Sequence, residues 1–254
     1  MQHKKSLGQH FLKDQNIVDK LVRHIKPSPH DEIIEIGPGD GMMTKSIVNK
    51  VKKMILIEKD CDLIDNLKSS FRKYENSSIL NIDILKYNLD SLCQPVRVVG
   101  NLPYNISTEI IFKMCNCNKI IDMHFMLQKE VVDRIVAKSN SKIYGRLSIM
   151  AQAYFNVKKL FDISENVFSP KPKVKSSFVR LSTRKYAFRS RDHENIFYEI
   201  VKSAFEGRRK MIKTSLKSYL NSNDFNTINL KPDLRAENLT VNDYILISNY
   251  VQKI

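Results

Sequence analysis

The chain has 254 residues, a formal net charge of +15, and a composition that is 42% hydrophobic and 27% charged. This balance of apolar and charged residues is typical of a folded protein and excludes a chain that is disordered throughout. The strong positive charge favours a polyanionic partner such as a nucleic acid.

The sequence carries no pattern of secretion or of membrane insertion. No apolar run reaches the roughly 18 residues that a membrane-spanning helix needs, and the first residues lack the apolar core of a signal peptide. The four cysteines contain no Cys-x-x-Cys pair, so we interpret them as reduced thiols and expect no metal site. We therefore expect a cytosolic protein with no membrane partner.

From Glu32 onward, short apolar runs alternate with segments of helical period. The runs predict strands at 32–36, 54–58, 78–82, 96–100 and 123–127. The segments between them predict helices near 42–50, 60–73, 108–118 and 130–138. Buried strands separated by helices are typical of a parallel sheet covered on both faces. The sequence thus predicts a doubly wound, Rossmann-like α/β fold.

The second half of the chain changes character near Thr183. A helix is predicted at 146–156, and segments 157–163 and 174–181 are predicted to close the sheet as an antiparallel pair. Strand-like runs then cease, and helical periodicity continues through 193–206, 208–220 and 240–252. We expect an α/β domain at 1–183 and a small helical domain at 184–254.

The first predicted strand runs directly into a glycine turn, G-P-G-D-G at 37–41. Such a turn lets the backbone approach a ligand at the carboxyl end of a strand, although tight turns also occur without ligands. Met42 stands where a dinucleotide fingerprint has its third glycine, and this argues against NAD.

Acidic residues follow the next two predicted strands. Glu58 ends the second strand, where a carboxylate can accept hydrogen bonds from ribose hydroxyls. Asp83 follows the third strand, where a carboxylate can bind an adenine amine. Together with the glycine turn, these acids predict a site for S-adenosylmethionine, which needs no pyrophosphate cradle.

The fourth predicted strand ends in Asn101-Leu102-Pro103-Tyr104. The Asn101 side-chain oxygen and the following carbonyl can each accept one N–H of an exocyclic adenine amine, which directs the nitrogen lone pair at a methyl donor. Pro103 stiffens the loop, and Tyr104 offers a face on which a flipped base stacks. The motif predicts methylation of an adenine amine; the alternative is a strand terminator with a buried tyrosine.

Phe168 and the lysines after it predict a further nucleic-acid contact. Phe168 offers a second stacking face. Lys171, Lys173 and Lys175 recur at every second position, which would place their ammonium groups on one side of an extended segment. Such a row can follow a phosphate backbone. The competing interpretation is a solvated edge strand that its lysines protect from pairing.

Five ordered motifs closely resemble the small-subunit ribosomal RNA adenine dimethyltransferase family over nearly the whole chain. They are Ser6–Leu12, Glu35–Gly41, Gly100–Ser107, Tyr144–Ser148 and Phe168–Val174. The resemblance implies S-adenosylmethionine-dependent conversion of two adjacent adenosines near the 3′ end of small-subunit (16S) ribosomal RNA to N6,N6-dimethyladenosine. It also implies an immature ribosomal particle as partner and RNA binding by the C-terminal domain, and we expect a monomer.

The resemblance and the residue patterns together suggest roles for single residues. Those expected to hold the cofactor are His10, Leu12, Gly37, Gly39, Glu58, Asp83 and Asn101. Those expected to hold the target base are Asn101, Leu102, Pro103, Tyr104 and Phe168. The candidate RNA contacts are Lys171, Lys173, Arg208, Arg209 and Lys210. His10 can alternatively act as a packing residue, and three cations at a helix start are often only solvated.

Two other functions stay open. One is the related large-subunit methyltransferase that confers antibiotic resistance; Leu102, where that group has isoleucine, and the motif Tyr144–Ser148 favour the small-subunit type. The other is an assembly or nucleic-acid-binding factor that keeps the fold without turnover. The intact Glu58, Asp83 and Asn101 tetrad argue against it.

Overall fold

The computed structural model describes residues 9–115, 117–184, 188 and 190–253. The strands are β1 (Phe11–Leu12), β2 (Glu32–Ile36), β3 (Lys53–Glu58), β4 (Ser77–Asn81), β5 (Val96–Asn101), β6 (Ile120–Gln128), β7 (Phe155–Ile163), β8 (Phe168–Ser169) and β9 (Ser176–Thr183). The helices are α1 (Gln15–Ile25), α2 (Met42–Ile47), α3 (Cys61–Phe71), α4 (Ser107–Cys115), α5 (Lys129–Ile135), α6 (Arg146–Tyr154), α7 (Arg191–Glu206), α8 (Ile212–Ser215), α9 (Ser222–Thr227) and α10 (Val241–Val251). Ser6, Leu7 and Gly8 of the first motif lie outside the described residues.

Seven strands form one sheet in the order β4-β3-β2-β5-β6-β9-β7. Strands β2 to β6 pair in parallel, and β9 runs antiparallel to β6. The five predicted strands and the α/β fold are therefore confirmed. The chain leaves β2 on one side for β3 and β4 and returns on the other side as β5. The carboxyl ends of β2 and β5 thus form the switch point at which doubly wound sheets bind ligands.

Helix α1 is absent from the sequence prediction. Its first turn is capped by Asp14, whose side chain accepts hydrogen bonds from the backbone N–H of Asn16 at 2.8 Å and of Ile17 at 3.2 Å. Its buried residues, which recur with helical period, are Val18, Leu21, Val22 and Ile25. They belong to the same apolar core as Ile33 and Val99 of the sheet, so α1 covers one face of the sheet.

The helix predicted at 208–220 is wrong for most of its length. Only α8 forms there, because Met211 pairs with Arg235 in an isolated β-bridge and the N–H of Ile212 donates to the carbonyl of Leu234 at 2.6 Å. The breaker-rich stretch after it contains the short helix α9, which Asn221 caps. Backbone pairing between distant segments has overridden helical periodicity here.

The chain divides into two compact units. One runs up to Val132 and includes Lys158–Thr183; the other consists of Asp133–Val157 and the residues from Arg184 on. The predicted boundary near Thr183 coincides with one crossing between the units, but residues 133–157, which carry α6, group with the second. In that unit, α7 packs against both α6 and α10. None of the described helices is long and apolar enough to cross a membrane.

Arg97, near the start of β5, ties α1 to the sheet. Its guanidinium lies 2.8 Å from Asp31 and 2.8 Å from Asp122, and it donates to the carbonyl of Ile25 at 2.6 Å. The side chains of Arg97 and Asp122 are only 11% and 4% exposed. A single cation therefore neutralises two largely buried carboxylates and binds the last turn of the helix that covers the sheet.

We expect Arg97→Met to lower the free energy of unfolding by about 3–5 kcal/mol, because it leaves buried carboxylates without their cation. Arg180 provides a matched control, since it lies 3.4 Å from the same Asp122 but is 49% exposed. Arg180→Met should cost less than about 1 kcal/mol. Urea denaturation measures both values. Equal losses from the two variants would contradict the assigned role of Arg97.

Candidate active site

A cleft opens at the carboxyl ends of the parallel strands, where the strand order reverses. The predicted site residues that line it are His10, Leu12, Gly37, Gly39, Glu58, Asp83, Asn101, Leu102, Pro103 and Tyr104. They come from three segments far apart in sequence and from the ends of β3 and β4. The fold therefore brings the predicted cofactor residues and the predicted base-holding motif into one cleft.

The glycine turn after β2 keeps side chains out of the cleft floor. Gly37 and Gly39 have φ values of +63° and +62°, which L side chains rarely adopt. A Cβ on Gly39 would lie 2.8 Å from two ring carbons of Phe11. The N–H of Gly37 donates to the carbonyl of Ile57 at 2.9 Å, which fixes the turn to β3. The turn therefore presents bare backbone to a ligand.

Glu58 ends β3 in the wall of the cleft and is 7% exposed. Its two carboxylate oxygens accept hydrogen bonds from the N–H of Gly39 at 3.3 Å and of Asp60 at 2.9 Å. Burial raises the pKa of Glu58 above its ordinary value, and these hydrogen bonds oppose the rise. The hydrogen bond from Gly39 thus fixes the position of the Glu58 carboxylate relative to the glycine turn.

Asp83 follows β4 and carries a charged carboxylate into the cleft. Its oxygens bind Lys59 Nζ at 2.8 Å and the N–H of Leu85 at 2.9 Å. Burial acts to raise the pKa of Asp83, but the hydrogen bonds from Lys59 and Leu85 prevail and lower it. Asp83 is therefore an oriented acceptor at the position predicted for the cofactor adenine.

These groups fit S-adenosylmethionine. A nucleoside cofactor needs a close backbone approach and acceptors for its ribose hydroxyls and adenine amine. The turn at Gly39 excludes a Cβ, Glu58 and Asp83 are the oriented acceptors, and the apolar Ile84 and Ile110 line the same cleft.

Asn101 lies at the end of β5 with its amide fixed. Its Nδ2 donates to the carbonyl of His10 at 2.7 Å. Within the described part of the chain, no group donates a hydrogen bond to its Oδ1. The N–H of Leu102 donates to the carbonyl of Met126 at 3.1 Å, so the motif is also anchored on β6. The amide therefore offers its oxygen, rather than its nitrogen, as the group that remains for a ligand.

Tyr104 is held from two sides. Its hydroxyl lies 2.8 Å from Ser176 Oγ, and its ring lies 5.5 Å from the His10 ring at an interplanar angle of 30°. Burial raises the pKa of Tyr104 above its ordinary value. His10 Nδ1 lies 2.7 Å from the carbonyl of Pro170. His10 thus contacts both Tyr104 of the base-holding motif and the segment at Pro170. Ser176, which was not predicted from the sequence, also belongs to the site.

Phe168, the predicted second stacking residue, lies in the apolar core. It pairs with Leu12 between β8 and β1, is 4% exposed, and is part of the apolar core rather than of the cleft lining. Phe168 contacts β1, the strand that carries Leu12, one of the predicted cofactor residues. A direct stacking role for Phe168 stays a prediction.

The segment after Phe168 is a loop that connects β8 with β9, and the backbone bends at 173–174. Lys171, Lys173 and Lys175 are exposed; of the intervening residues, Pro172 is buried and Val174 is 42% exposed. The placement of the three ammonium groups on one side stays a prediction. Contact of Lys171 and Lys173 with RNA stays a prediction.

Arg208 is engaged within its own unit. Its Nε donates to Glu237 at 3.1 Å and its Nη2 to the carbonyl of Lys142 at 2.6 Å. Arg209 and Lys210 are exposed, and no acid of the described residues forms an ion pair with either. The three cations are therefore not equivalent, and their contact with RNA stays a prediction.

Glu35, in the middle of the first predicted apolar strand, was not assigned a role by the sequence. Its carboxyl is 1% exposed and accepts a hydrogen bond from Thr44 Oγ1 at 2.6 Å. Burial raises the pKa of Glu35 from 4.5 to about 7, with Thr44 opposing and Glu58 and Asp40 adding to the rise. An acid inside an apolar strand is the sequence signal for such a buried group.

Comparison with known proteins identifies relatives over the full length. The ribosomal RNA adenine dimethylase family model matches residues 1–253. The chain is 46% identical over 253 residues to the ribosomal RNA small subunit methyltransferase A of Wigglesworthia glossinidia brevipalpis, with 96% of each chain covered. It is 43% identical over 255 residues to the protein of the same name from Francisella tularensis subsp. novicida, with 98% of this chain and 97% of the relative covered.

Two solved structures share the fold. A dimethyladenosine transferase from Plasmodium falciparum has a TM-score of 0.82 at 24% identity, covering 94% of this chain and 96% of that one. The 23S rRNA methyltransferase ErmE has a TM-score of 0.76 at 20% identity, covering 95% and 99%. At these identities the likeness establishes the fold.

Glu35 generates a pH-dependent prediction for stability. Because its pKa is higher in the folded protein than the ordinary 4.5, folding takes up a proton, and this group lowers stability as pH rises from 4.5 through about 7. Glu35→Gln keeps an acceptor for Thr44 and removes the charge. The variant should gain about 2–3 kcal/mol over the parent at pH 8 and much less at pH 5. Urea denaturation at both pH values checks this; an equal difference at both would contradict it.

Proposed function

Because the chain belongs to the ribosomal RNA adenine dimethylase family and is therefore an S-adenosylmethionine-dependent methyltransferase, we propose that it converts two adjacent adenosines near the 3′ end of small-subunit ribosomal RNA to N6,N6-dimethyladenosine. The observation that carries the proposal is the fixed amide of Asn101, whose Nδ2 is committed to the carbonyl of His10. Relatives that are 46% and 43% identical bear a small-subunit name, which favours this substrate over large-subunit RNA.

The reacting amine of adenine is a poor nucleophile because its lone pair is delocalised into the ring. In the first transfer, Asn101 Oδ1 and the carbonyl of Leu102 each accept one N–H; in the second, the single remaining N–H binds one of these two oxygens. These hydrogen bonds favour a pyramidal nitrogen and direct its lone pair. Tyr104 stacks on the base and holds it out of the RNA. S-adenosylmethionine supplies a methyl group activated on sulfur. As the C–N bond formed, the C–S bond of the cofactor would break and S-adenosylhomocysteine would leave. The methylated nitrogen would lose one proton to water, so no side chain has to act as a general base.

The cofactor residues act by position. Glu58 accepts hydrogen bonds from the ribose and Asp83 from the cofactor adenine, while Gly37 and Gly39 leave room for the ligand. His10 and Leu12 contact the methionine end, and the carbonyl of His10 sets the orientation of Asn101. This arrangement links cofactor binding with base binding through one short segment.

We also propose roles for the two domains, a partner and an oligomeric state. Residues 1–183 carry methyl transfer, and residues 184–254 bind RNA, with Arg209 and Lys210 as exposed candidates. The partner is an immature ribosomal particle, and the enzyme acts as a cytosolic monomer. Native mass spectrometry of the protein alone and with purified particles tests the last two statements.

The main test uses mass spectrometry of ribosomal RNA after incubation with protein and S-adenosylmethionine. We expect N6,N6-dimethyladenosine in small-subunit RNA and none in large-subunit RNA. Asn101→Ala should reduce turnover at least about 100-fold, since it removes a dipole aimed at the reacting amine. Asn66→Ala, an exposed position on α3, is the control and should keep full turnover.

The outcomes separate the candidate functions. Methylation of large-subunit RNA alone would favour the related large-subunit methyltransferase that confers antibiotic resistance. Cofactor binding without labelling of either RNA would favour an assembly factor that has lost turnover. Undiminished turnover by Asn101→Ala would refute the proposed role of the amide.

A double-mutant cycle tests the hydrogen bond between Tyr104 and Ser176. Tyr104→Phe and Ser176→Ala each remove the same hydrogen bond, which is worth about 1 kcal/mol. Each should lower kcat/KM about fivefold, and the double variant should show no further loss. Losses that multiply in the double variant would show that the two hydroxyls act separately. Tyr104→Ala, which removes the stacking face, should lose far more.

A further inference from the structure

The cleft itself has the wrong charge to hold a polyanion. Among its described lining residues, the acids Glu35, Asp40, Glu58 and Asp83 face a single lysine, Lys59. The net charge of the whole chain is nevertheless +15. Since phosphate contacts by lysine and arginine supply much of RNA affinity, the groups that bind the RNA backbone must lie outside the cleft.

A cluster of cations lies where α1 meets the edge strand β7. It consists of Lys20 and Arg23 on α1, Lys26 directly after it, and Lys158 on β7; we call these four residues the α1–β7 patch. All four act on one neighbour, His24: burial and the positive charges of Lys20, Arg23, Lys158 and Lys26 lower its pKa. The patch combines residues of two elements that are far apart in sequence, and the contacts of Lys20 and His24 with Phe161 bring these elements together.

An aromatic side chain fixes the patch to the sheet. Lys20 Nζ lies 4.0 Å from the ring centroid of Phe161 on β7, and the His24 ring lies 5.2 Å from the same ring. Phe161 in turn contacts Phe178 of β9 at 5.5 Å. A cation over an aromatic face loses mobility and is held in place. The position of the charge is thus set by the fold.

Nearby acids already have partners. Asp19 of α1, which directly precedes Lys20, accepts a hydrogen bond from Gln15 Nε2 at 2.9 Å. Asp162 binds Lys159 at 2.7 Å and Ser177 at 2.5 Å, and Asp31 and Asp122 bind Arg97. Within the described residues, no acid forms an ion pair with any member of the α1–β7 patch. Four like charges without counterions repel one another, and an external polyanion relieves that repulsion.

A series of contacts leads from the base-holding residues to β7, the strand that carries Lys158. Tyr104 bonds to Ser176, the first residue of β9, and the next residue, Ser177, bonds to Asp162 of β7. Lys158 lies four positions before Asp162 on that strand, a distance of about 13 Å along an extended chain. Because Arg97 at the start of β5 binds the carbonyls of Ile25 and Lys26, the patch extends from β7 toward the amino ends of the strands. An RNA whose adenine occupies the cleft would therefore reach it with a segment that runs along this side of the sheet.

We propose that the α1–β7 patch binds the phosphate backbone of the substrate RNA and is a contact surface separate from the catalytic cleft. The inference rests on the proposed function, because it concerns the RNA that carries the target adenine. It assigns a binding role to α1, a helix for which the sequence predicted none.

The test compares two triple variants with the same loss of charge. The patch variant is Lys20→Gln/Arg23→Gln/Lys158→Gln. The control is Lys50→Gln/Lys68→Gln/Lys73→Gln, which changes exposed residues near α2 and α3 in the half of the sheet that ends at β4, the edge opposite β7. Lys73 lies 5.0 Å from the ring of Tyr74 and so reproduces the cation–aromatic contact of Lys20.

RNA affinity is measured over a range of salt concentrations with small-subunit RNA. The patch variant should reduce the slope of log affinity against log salt by about 2–3, as expected for three lost phosphate contacts. It should raise KM for RNA about tenfold or more and leave kcat and cofactor affinity unchanged. The control should change the slope by less than about 1. A double variant, Arg23→Gln/Lys158→Gln, keeps Lys20 over Phe161 and should lower the slope by about 1–2.

Equal slopes and equal KM values for the patch and control variants would overturn the inference, because the effect would then come from net charge alone. A smaller slope of log affinity against log salt in the triple variant but not in the double variant would also overturn the inference. The cause would then be the lost packing of Lys20 on Phe161. Failure of the unmodified protein to methylate small-subunit RNA contradicts the proposed function instead. Methylation by the unmodified protein is measured by itself, so its failure can be distinguished from any difference between the variants.

Discussion

The hydrogen bond from Asn101 Nδ2 to the carbonyl of His10 sets the chemistry of the cleft. A side-chain amide has one donating end and one accepting end, and either can face a ligand. Here the donating end is bound to a segment 91 residues away in sequence, so the accepting end is left for the substrate. An adenine amine offers only N–H donors, and its recognition requires that orientation.

That bond in turn depends on how the segment 9–12 is held. Phe11 and Leu12 pair with Ser169 and Phe168, and the His10 ring contacts both Pro170 and Tyr104. Phe11 also packs over Gly39, which has no room for a Cβ. One short segment therefore touches the glycine turn, the amide proposed to receive the target amine, and the ring proposed to stack on the base. Disturbing it should affect all three functions together.

Local patterns in the sequence predicted most of the sheet and most of the cleft. The five apolar runs, the glycine turn, and the acids Glu58 and Asp83 follow from periodicity and from the rule that parallel strands share a carboxyl edge. Ser176 and the engagement of Arg208 could not be predicted in this way. They depend on contacts with Tyr104, 72 residues away, and with Glu237, 29 residues away. Helix α1 was detectable in principle, since Asp14 and the apolar positions after it have the spacing of a capped helix.

Charge is divided between the cleft and the surface, and this division explains how one protein handles a neutral base and a charged backbone. In the proposed function, acids in the cleft bind ribose and adenine, whereas cations outside it are available for phosphate. The proposed site would thus select the base by hydrogen-bond direction and hold the RNA by electrostatics at a distance.

The most direct measurement is a crystal structure of the protein with adenosine and S-adenosylhomocysteine bound. We predict that Asn101 Nδ2 stays on the His10 carbonyl and that the adenosine amine lies within about 3.2 Å of both Asn101 Oδ1 and the Leu102 carbonyl. An amine bound elsewhere in the cleft, or an Asn101 amide released from His10 and reversed, would contradict it.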